Sequence, residues 1–237
     1  MFVKSELPFL AGNDTDPFLS LENGATEIYL IRHANALPDT NEVVDGGYDD
    51  QSLSELGRCQ SKALAERMRK IPVAAIYSSP IKRTWQTATI IGDVLGLEVQ
   101  ANGELREVGL TPIPSHLLAG LGPKERADTI STYLHELEAV ALQVGIWSQI
   151  AGCEPSPAVR HRITSAINHI ASQYLGNRIA IVTHSGAINA YIADVLGLDR
   201  DFFFPTAYTS ISVVRVKDQQ RLLVRLNDVA HWQPEGA

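Results

Sequence analysis

Short apolar runs alternate along the chain with longer stretches whose apolar positions recur at helical spacing. "TEIYLIR" (26–32), "VAAIYSS" (73–79) and "RIAIVTH" (178–184) are apolar enough to read as strands, the last of the buried parallel kind. In "LSELGRCQSKALAERMRKI" (53–71), Leu56, Ala63, Leu64 and Met68 fall near helical spacing, and Ser54 is placed to cap the start. Pro80 opens a second helix, "IKRTWQTATIIGDVLG", which Gly96 stops. Further helices are expected over 123–143, over 158–176 after Pro155 and Pro157, and over "SGAINAYIADVLG" (185–197). "SISVVRV" (210–216) and "RLLVRLND" (221–228) flank "KDQQ" as an antiparallel hairpin. Residues 1–24 read as an irregular N-terminal arm, 39–52 as an acidic loop, and 98–120 as irregular chain with glycines and prolines. No repeat or low-complexity tract interrupts this order.

Strands that alternate with helices predict an α/β sandwich around a mostly parallel sheet, with the antiparallel hairpin at its end. Composition narrows the picture. With 237 residues, 45% of them hydrophobic, the chain can bury a large core as one domain or two small ones. No run approaches ~18 uninterrupted apolar residues, so no membrane span is expected. The acidic start "MFVKSELPFLAGNDTDPF" does not read as a signal peptide. Cys59 and Cys153 are the only cysteines, with no CxxC, which points to a reduced, cytoplasmic protein. A formal charge of −7 argues against nucleic acid or an acidic membrane as partner. An anionic substrate would need a local basic pocket.

The residues at the strand exits suggest such a pocket. In open α/β sheets, ligands sit beyond the carboxyl ends of the strands near a switch in topology. Arg32 and His33 leave the first strand together, and His184 leaves another just before Ser185-Gly186 opens a helix. A helix start presents free N–H groups and partial positive charge. Arg83 lies in the first part of the helix after the strand at 73–79, where its guanidinium fork matches phosphate oxygens. The two histidines could instead be zinc ligands, but an obvious third ligand is missing and Arg32 would repel a cation.

Five segments in order, "LIRHA", "DDQSLSELGRCQ", "IYSSPIKRTWQTA", "LREVG" and "VTHSGAI", resemble the motifs of the histidine phosphatase superfamily, the phosphoglycerate mutase-like phosphatases. The resemblance runs from about Glu27 to His231. It departs from the family pattern at Ala34 and Asn35, and near Asp39 and Asn41, where the family has a later Asn. After Glu107, "LTPIPSHL" replaces the usual Trp-Glu-Gly. These departures bear on the substrate rather than the reaction.

The resemblance implies a three-layer α/β/α sandwich over 25–237 as a single domain, with a lid insertion at about 108–155. It implies His33 as nucleophile, Arg32, Arg83 and His184 as holders of the phosphoryl oxygens, and Glu107 as general acid, with nearby Glu104 structural. Asn35, Ser185 and Gly186 are expected to bind substrate, although Ser185 could serve only as an N-cap. Pro112, Pro114, His116, Leu117 and Leu118 are candidates for the lid lining. His116, His135, His161 and His169 stand outside any motif and read as surface or boundary residues; His231 and Trp232 are expected to pack the tail, and Trp85 and Trp147 the core or lid. No metal and no cofactor is required, because arginines and histidines supply the charge. The expected activity is hydrolysis of a small phosphorylated metabolite, such as a sugar phosphate or glycerate phosphate, through a phosphohistidine. The first alternative is a 2,3-bisphosphoglycerate-dependent phosphoglycerate mutase, whose extended motif after the first histidine is replaced here by "ANALPDTNEV". The second is a non-catalytic phospho-ligand binding protein. The hairpin edge could pair two copies as a homodimer.

Overall fold

Period-two alternation in the strands and 3.6-residue spacing in the helices build two apolar layers, one on each face of a single sheet. The structure is a computed structural model and describes residues 18–36, 50–110 and 113–232. Most of the N-terminal arm and acidic loop, with Asp39, Asn41 and Pro112, lies outside the described residues. Strands β1 (Thr26–Arg32), β2 (Val73–Ser78), β3 (Val99–Ala101), β4 (Arg178–Thr183), β5 (Ile211–Lys217) and β6 (Gln220–Asp228) assemble in the order β3-β2-β4-β1-β5-β6. The first four are parallel, and β5 and β6 form the antiparallel edge. The helices are α1 (Glu55–Met68), α2 (Lys82–Leu95), α3 (Pro123–Val144), α4 (Ser156–Ser172) and α5 (Ser185–Leu196).

Alternate residues of β1 and β4 divide between the layers. Ile28, Leu30, Ile179 and Ile181 pack with Val159, Ile163 and Ile167 of α4 and with Ile188, Tyr191 and Ile192 of α5. Tyr29, Ile31, Ala180 and Val182 pack with Leu64, Ala65 and Met68 of α1 and Ala88 and Ile91 of α2. The sheet is thus covered on both faces, as its apolar central strands require. Leu56, part of the apolar stripe of α1 by its spacing, is instead exposed at the helix start. Ser54 caps α1 by accepting the Gly57 N–H at 2.9 Å.

Several boundaries differ from the sequence expectation, and one strand is added. Ile81, not Pro80, caps α2. α4 begins at Ser156, because Pro157 fits the first helical turn, where its missing N–H costs nothing. β3 falls inside the stretch read as irregular; it has three residues, too few for alternation to show.

The topology positions the site. β1 leaves a gap that β4 later fills, so β1 and β2 both pair with β4. Register sets Arg32 opposite Thr183 and Ser78 opposite Val182, so the three strand exits end at one level. The His33 N–H donates to the Thr183 carbonyl at 3.0 Å, and the Ser79 N–H to the Val182 carbonyl at 3.1 Å. α3 stands apart from the sheet layers, and Ala141 is its one buried residue. Its C-terminal end is tied down where Arg200 donates to the Leu142 carbonyl at 2.6 Å and the Asp201 N–H to the Gly145 carbonyl at 2.7 Å. Among the described residues, no helix is long and apolar enough to cross a membrane.

Candidate active site

Beyond the carboxyl ends of β1, β2 and β4 lies a cavity of about 390 Å³. Arg32, His33, Arg83, Glu107, Ser185 and Gly186 line it. Residues far apart in sequence therefore share one wall, as the strand-exit rule predicts.

His33 is held from both sides. Its Nδ1 lies 2.8 Å from the Ala34 carbonyl oxygen, which can only accept, so Nδ1 carries the proton. Nε2 is left with its lone pair, toward which Arg83 Nε donates at 3.2 Å. Burial and the Arg83 and Arg32 cations hold the imidazole well below its usual pKa, so it is neutral. The loop carrying it is locked on α1: the Asn35 carbonyl accepts the Ser54 N–H at 3.1 Å, and Gly57 comes so close that a Cβ there would stand 1.9 Å from the Asn35 oxygen. Only glycine permits that approach. On the other side, the Thr209 N–H reaches the carbonyls of Arg32 and His33 at 3.1 and 3.3 Å.

His184 is not itself on the cavity lining; its ring lies next to that of His33, with centroids 5.3 Å apart. It is fully buried; its Nε2 sits 3.0 Å from Ser79 Oγ, and its Nδ1 has no partner among the described residues. Burial first, then Arg83, His33 and Arg32, lower its pKa well below the usual value. Arg32 lies over the Tyr208 ring, 4.4 Å from its centroid, and donates through Nη1 to the Thr206 carbonyl. Its Nε is buried without a partner among the described residues. A buried guanidinium N–H with no protein acceptor suits the oxygen of an anion.

Glu107 faces this basic wall. Its carboxyl accepts from the Val108 N–H at 2.9 Å and, more loosely, from the Gly186 N–H at 3.4 Å. Burial raises its pKa, and those N–H groups with Arg83 and Arg32 only partly oppose the rise. Arg162 orders the segment that carries it by donating to the carbonyls of Glu104, Arg106 and Glu107 at 2.8, 2.9 and 2.9 Å, while pairing with Glu154 at 2.7 Å. Glu104 is exposed and does not line the cavity.

The remaining expectations are partly redrawn. Asn35 does not line the cavity; its Oδ1 accepts from Ser54 Oγ at 2.6 Å, so its side chain fastens the loop to α1. His184, not Ser185, is the N-cap of α5, and Ser185 is the first helical residue, inside the cavity. The Gly186 N–H is turned to Glu107. Pro114, His116, Leu117 and Leu118 do not line the cavity. Val108, Gly109 and Leu110 do, together with Ser131, Leu134, His135 and Glu138 from one face of α3. His135, a surface or boundary residue by its sequence, is exposed and also lines the cavity. Trp147 packs edge-on against Phe202 in the core, while Trp85 is exposed. Among the described residues, no three His, Cys, Asp or Glu side chains converge as metal ligands.

A family model for the histidine phosphatase superfamily (branch 1) matches residues 28–229. The chain belongs to that superfamily. Its relatives carry both phosphatase and mutase names. It is 27% identical over 210 residues to phosphoserine phosphatase 1 of Hydrogenobacter thermophilus, covering 86% of this chain and 93% of that one. It is 28% identical over 213 residues to phosphoglycerate mutase-like protein 4 of Arabidopsis thaliana, covering 89% and 88%. The fold is shared with a mycobacterial glucosyl-3-phosphoglycerate phosphatase at a TM-score of 0.65 and 22% identity, over 86% of this chain and 99% of that one.

Proposed function

We propose that this protein is a phosphomonoesterase that hydrolyses a small phosphorylated metabolite through a phosphohistidine on His33. The observation that carries the reading is the pairing of a buried neutral imidazole, its Nε2 facing the Arg83 guanidinium, with a half-buried carboxyl of raised pKa in the same cavity. The first group suits nucleophilic attack, and the second suits proton donation. A cavity of about 390 Å³ has the size of a small-metabolite site.

The phosphoryl group draws Arg83 from His33 Nε2 onto its own oxygens, freeing the lone pair. Nε2 then attacks phosphorus in line; the N–P bond forms as the ester P–O bond breaks. Glu107 gives its proton to the departing alkoxide. Arg32 through Nε, and His184 through Nδ1, complete the cage around the equatorial oxygens. In the second step water attacks phosphorus, Glu107 takes a proton from it, and the N–P bond breaks with its electron pair returning to Nε2. Positioning and fixed charge supply most of the acceleration in such transfers. The scheme uses no metal, so activity should survive chelation by EDTA.

The test is a panel of phosphorylated metabolites read by phosphate release, with His33→Ala as blank. Hydrolysis that vanishes in the blank supports the proposal. Conversion of 3-phosphoglycerate to its isomer only when 2,3-bisphosphoglycerate is added would replace it with the mutase reading. Phosphate binding without turnover of any ester would leave a phospho-ligand binding protein.

A further inference from the structure

Glu138 is an acid in a pocket built for an anion. It projects from α3 with Ser131, Leu134 and His135, spaced so that all four share one face, and that face lines the cavity. Its Oε1 stands 3.7 Å from Arg32 Nη1 and 3.4 Å from Ser185 Oγ. In the phosphohistidine scheme, Arg32 divides its charge between the phosphoryl group, through Nε, and Glu138, through Nη1. One cation then serves both a dianion and a carboxylate, and like charges at such range repel strongly unless further positive or hydrogen-donating groups stand between them.

The protein fills that role only in part: the Ser185 hydroxyl has one proton, set between Glu138 at 3.4 Å and Thr206 Oγ1 at 3.1 Å, and His135 lies one turn before Glu138 on the same face of α3. Arg106, the third arginine on the cavity lining, is already shared between Glu104 at 3.8 Å and Glu154 at 3.5 Å. Glu107 is committed to the leaving oxygen in this scheme, and burial raises its pKa toward the protonated form. A cation carried by the substrate would complete the pairing of Glu138.

Resting on the phosphomonoesterase reading, we propose that Glu138 is a specificity residue that selects phosphomonoesters whose alcohol carries an ammonium group near the ester oxygen, and that it rejects alcohols carrying a carboxylate there. The ammonium would bridge Glu138 and the phosphoryl oxygens, with Ser185 Oγ as a further acceptor. This favours phosphorylated amino alcohols and disfavours glycerate-type esters. It also gives a physical reason for hydrolysis over glycerate mutase chemistry in this pocket.

The test uses three esters with one two-carbon skeleton: 2-aminoethyl phosphate, 2-hydroxyethyl phosphate and phosphoglycolate. The full-length chain, Glu138→Gln and Glu138→Lys are compared by kcat/KM, with 4-nitrophenyl phosphate as a check that each variant is folded and competent. The parent should prefer the three in that order. A charge-assisted bond lost in Glu138→Gln should reduce the amino-to-carboxylate preference about tenfold to a hundredfold, mainly through KM. Glu138→Lys should invert the order. If the three esters change by the same factor in both variants, Glu138 is only a counter-ion to Arg32 and the proposal falls. It also falls if the parent prefers phosphoglycolate. Failure of the parent on 4-nitrophenyl phosphate as well would overturn the phosphomonoesterase reading itself, and this inference with it.

Discussion

Gly186→Ala separates the proton-donating half of the site from the phosphate-holding half. A Cβ at position 186 would stand 2.6 Å from Glu107 Oε1, 2.7 Å from Val108 Cγ2 and 3.2 Å from Trp147 Cζ2. Ordinary contact begins at 3.4 Å, so the Glu107 oxygen must retreat by about 0.8 Å. It is the far end of a side chain, so it moves while the backbone stays. Val108 adjusts by rotation, and overpacking of this kind costs about 1–3 kcal/mol of stability. A displacement of about 1 Å in a reacting group costs on the order of 10²-fold in rate. The loss should depend on the leaving group. In kcat/KM, which reads the phosphorylation step and not the later attack of water, an alkyl phosphate, whose alkoxide needs a proton, should lose about 10²-fold; 4-nitrophenyl phosphate, whose phenolate leaves unaided, should lose far less. Vanadate affinity should hold, because Arg32, Arg83 and His184 are untouched. Steady-state kinetics on the two esters and vanadate inhibition read all three. Equal losses of kcat/KM on both esters, or a large fall in vanadate affinity with kcat/KM intact, would refute the role given to Glu107 and to its glycine neighbour.

Arg83→Ala should lower kcat by about 10²–10³-fold, the cost of one preorganised donor, or about 2.7–4 kcal/mol in the barrier. Arg69→Ala, which removes an exposed cation paired with Glu66, should leave kcat unchanged. Ser79→Ala orphans His184 Nε2 in a buried place and should cost about 1–3 kcal/mol in chemical denaturation, together with a fall in kcat. His184 is neutral when folded and takes up a proton on unfolding below pH 6.5, so its share of stability is present above that value and lost as pH falls. As pH falls from 7.5 to 5.5 the parent should therefore lose more stability than His184→Asn; parallel curves would show that the histidine is not held neutral.

The strand exits are legible in the sequence because one rule governs them all. Arg32 with His33 and His184 each follow an apolar run, and Arg83 opens the helix after a third, so spacing alone gathers them. Ser79 ends the same kind of run, and the same rule finds it. The pocket's outer wall is not legible. α3 has only one buried residue, Ala141, so nothing in its pattern separates the Glu138 face from the others. Tyr208 and Thr206 come from a connection without periodicity, and their place depends on Asn189 Oδ1 accepting the Phe203 N–H at 2.9 Å and on Arg32 meeting the Tyr208 ring. Arg162 reads as one more helix cation in the sequence; only the fold shows it gathering the carbonyls beneath Glu107. Asn35 departs from its expected role for a related reason. It lies two residues past His33, but the chain turns back there onto α1, and its side chain goes with the turn.

Rapid quenching with a ³²P-labelled ester, followed by peptide mapping, tests the central claim most directly. The account predicts an acid-labile, base-stable label on the peptide containing His33, formed before phosphate is released, discharged on chase with unlabelled ester, and missing in His33→Ala. Hydrolysis that proceeds without such a label, or a label that persists in His33→Ala, would contradict it.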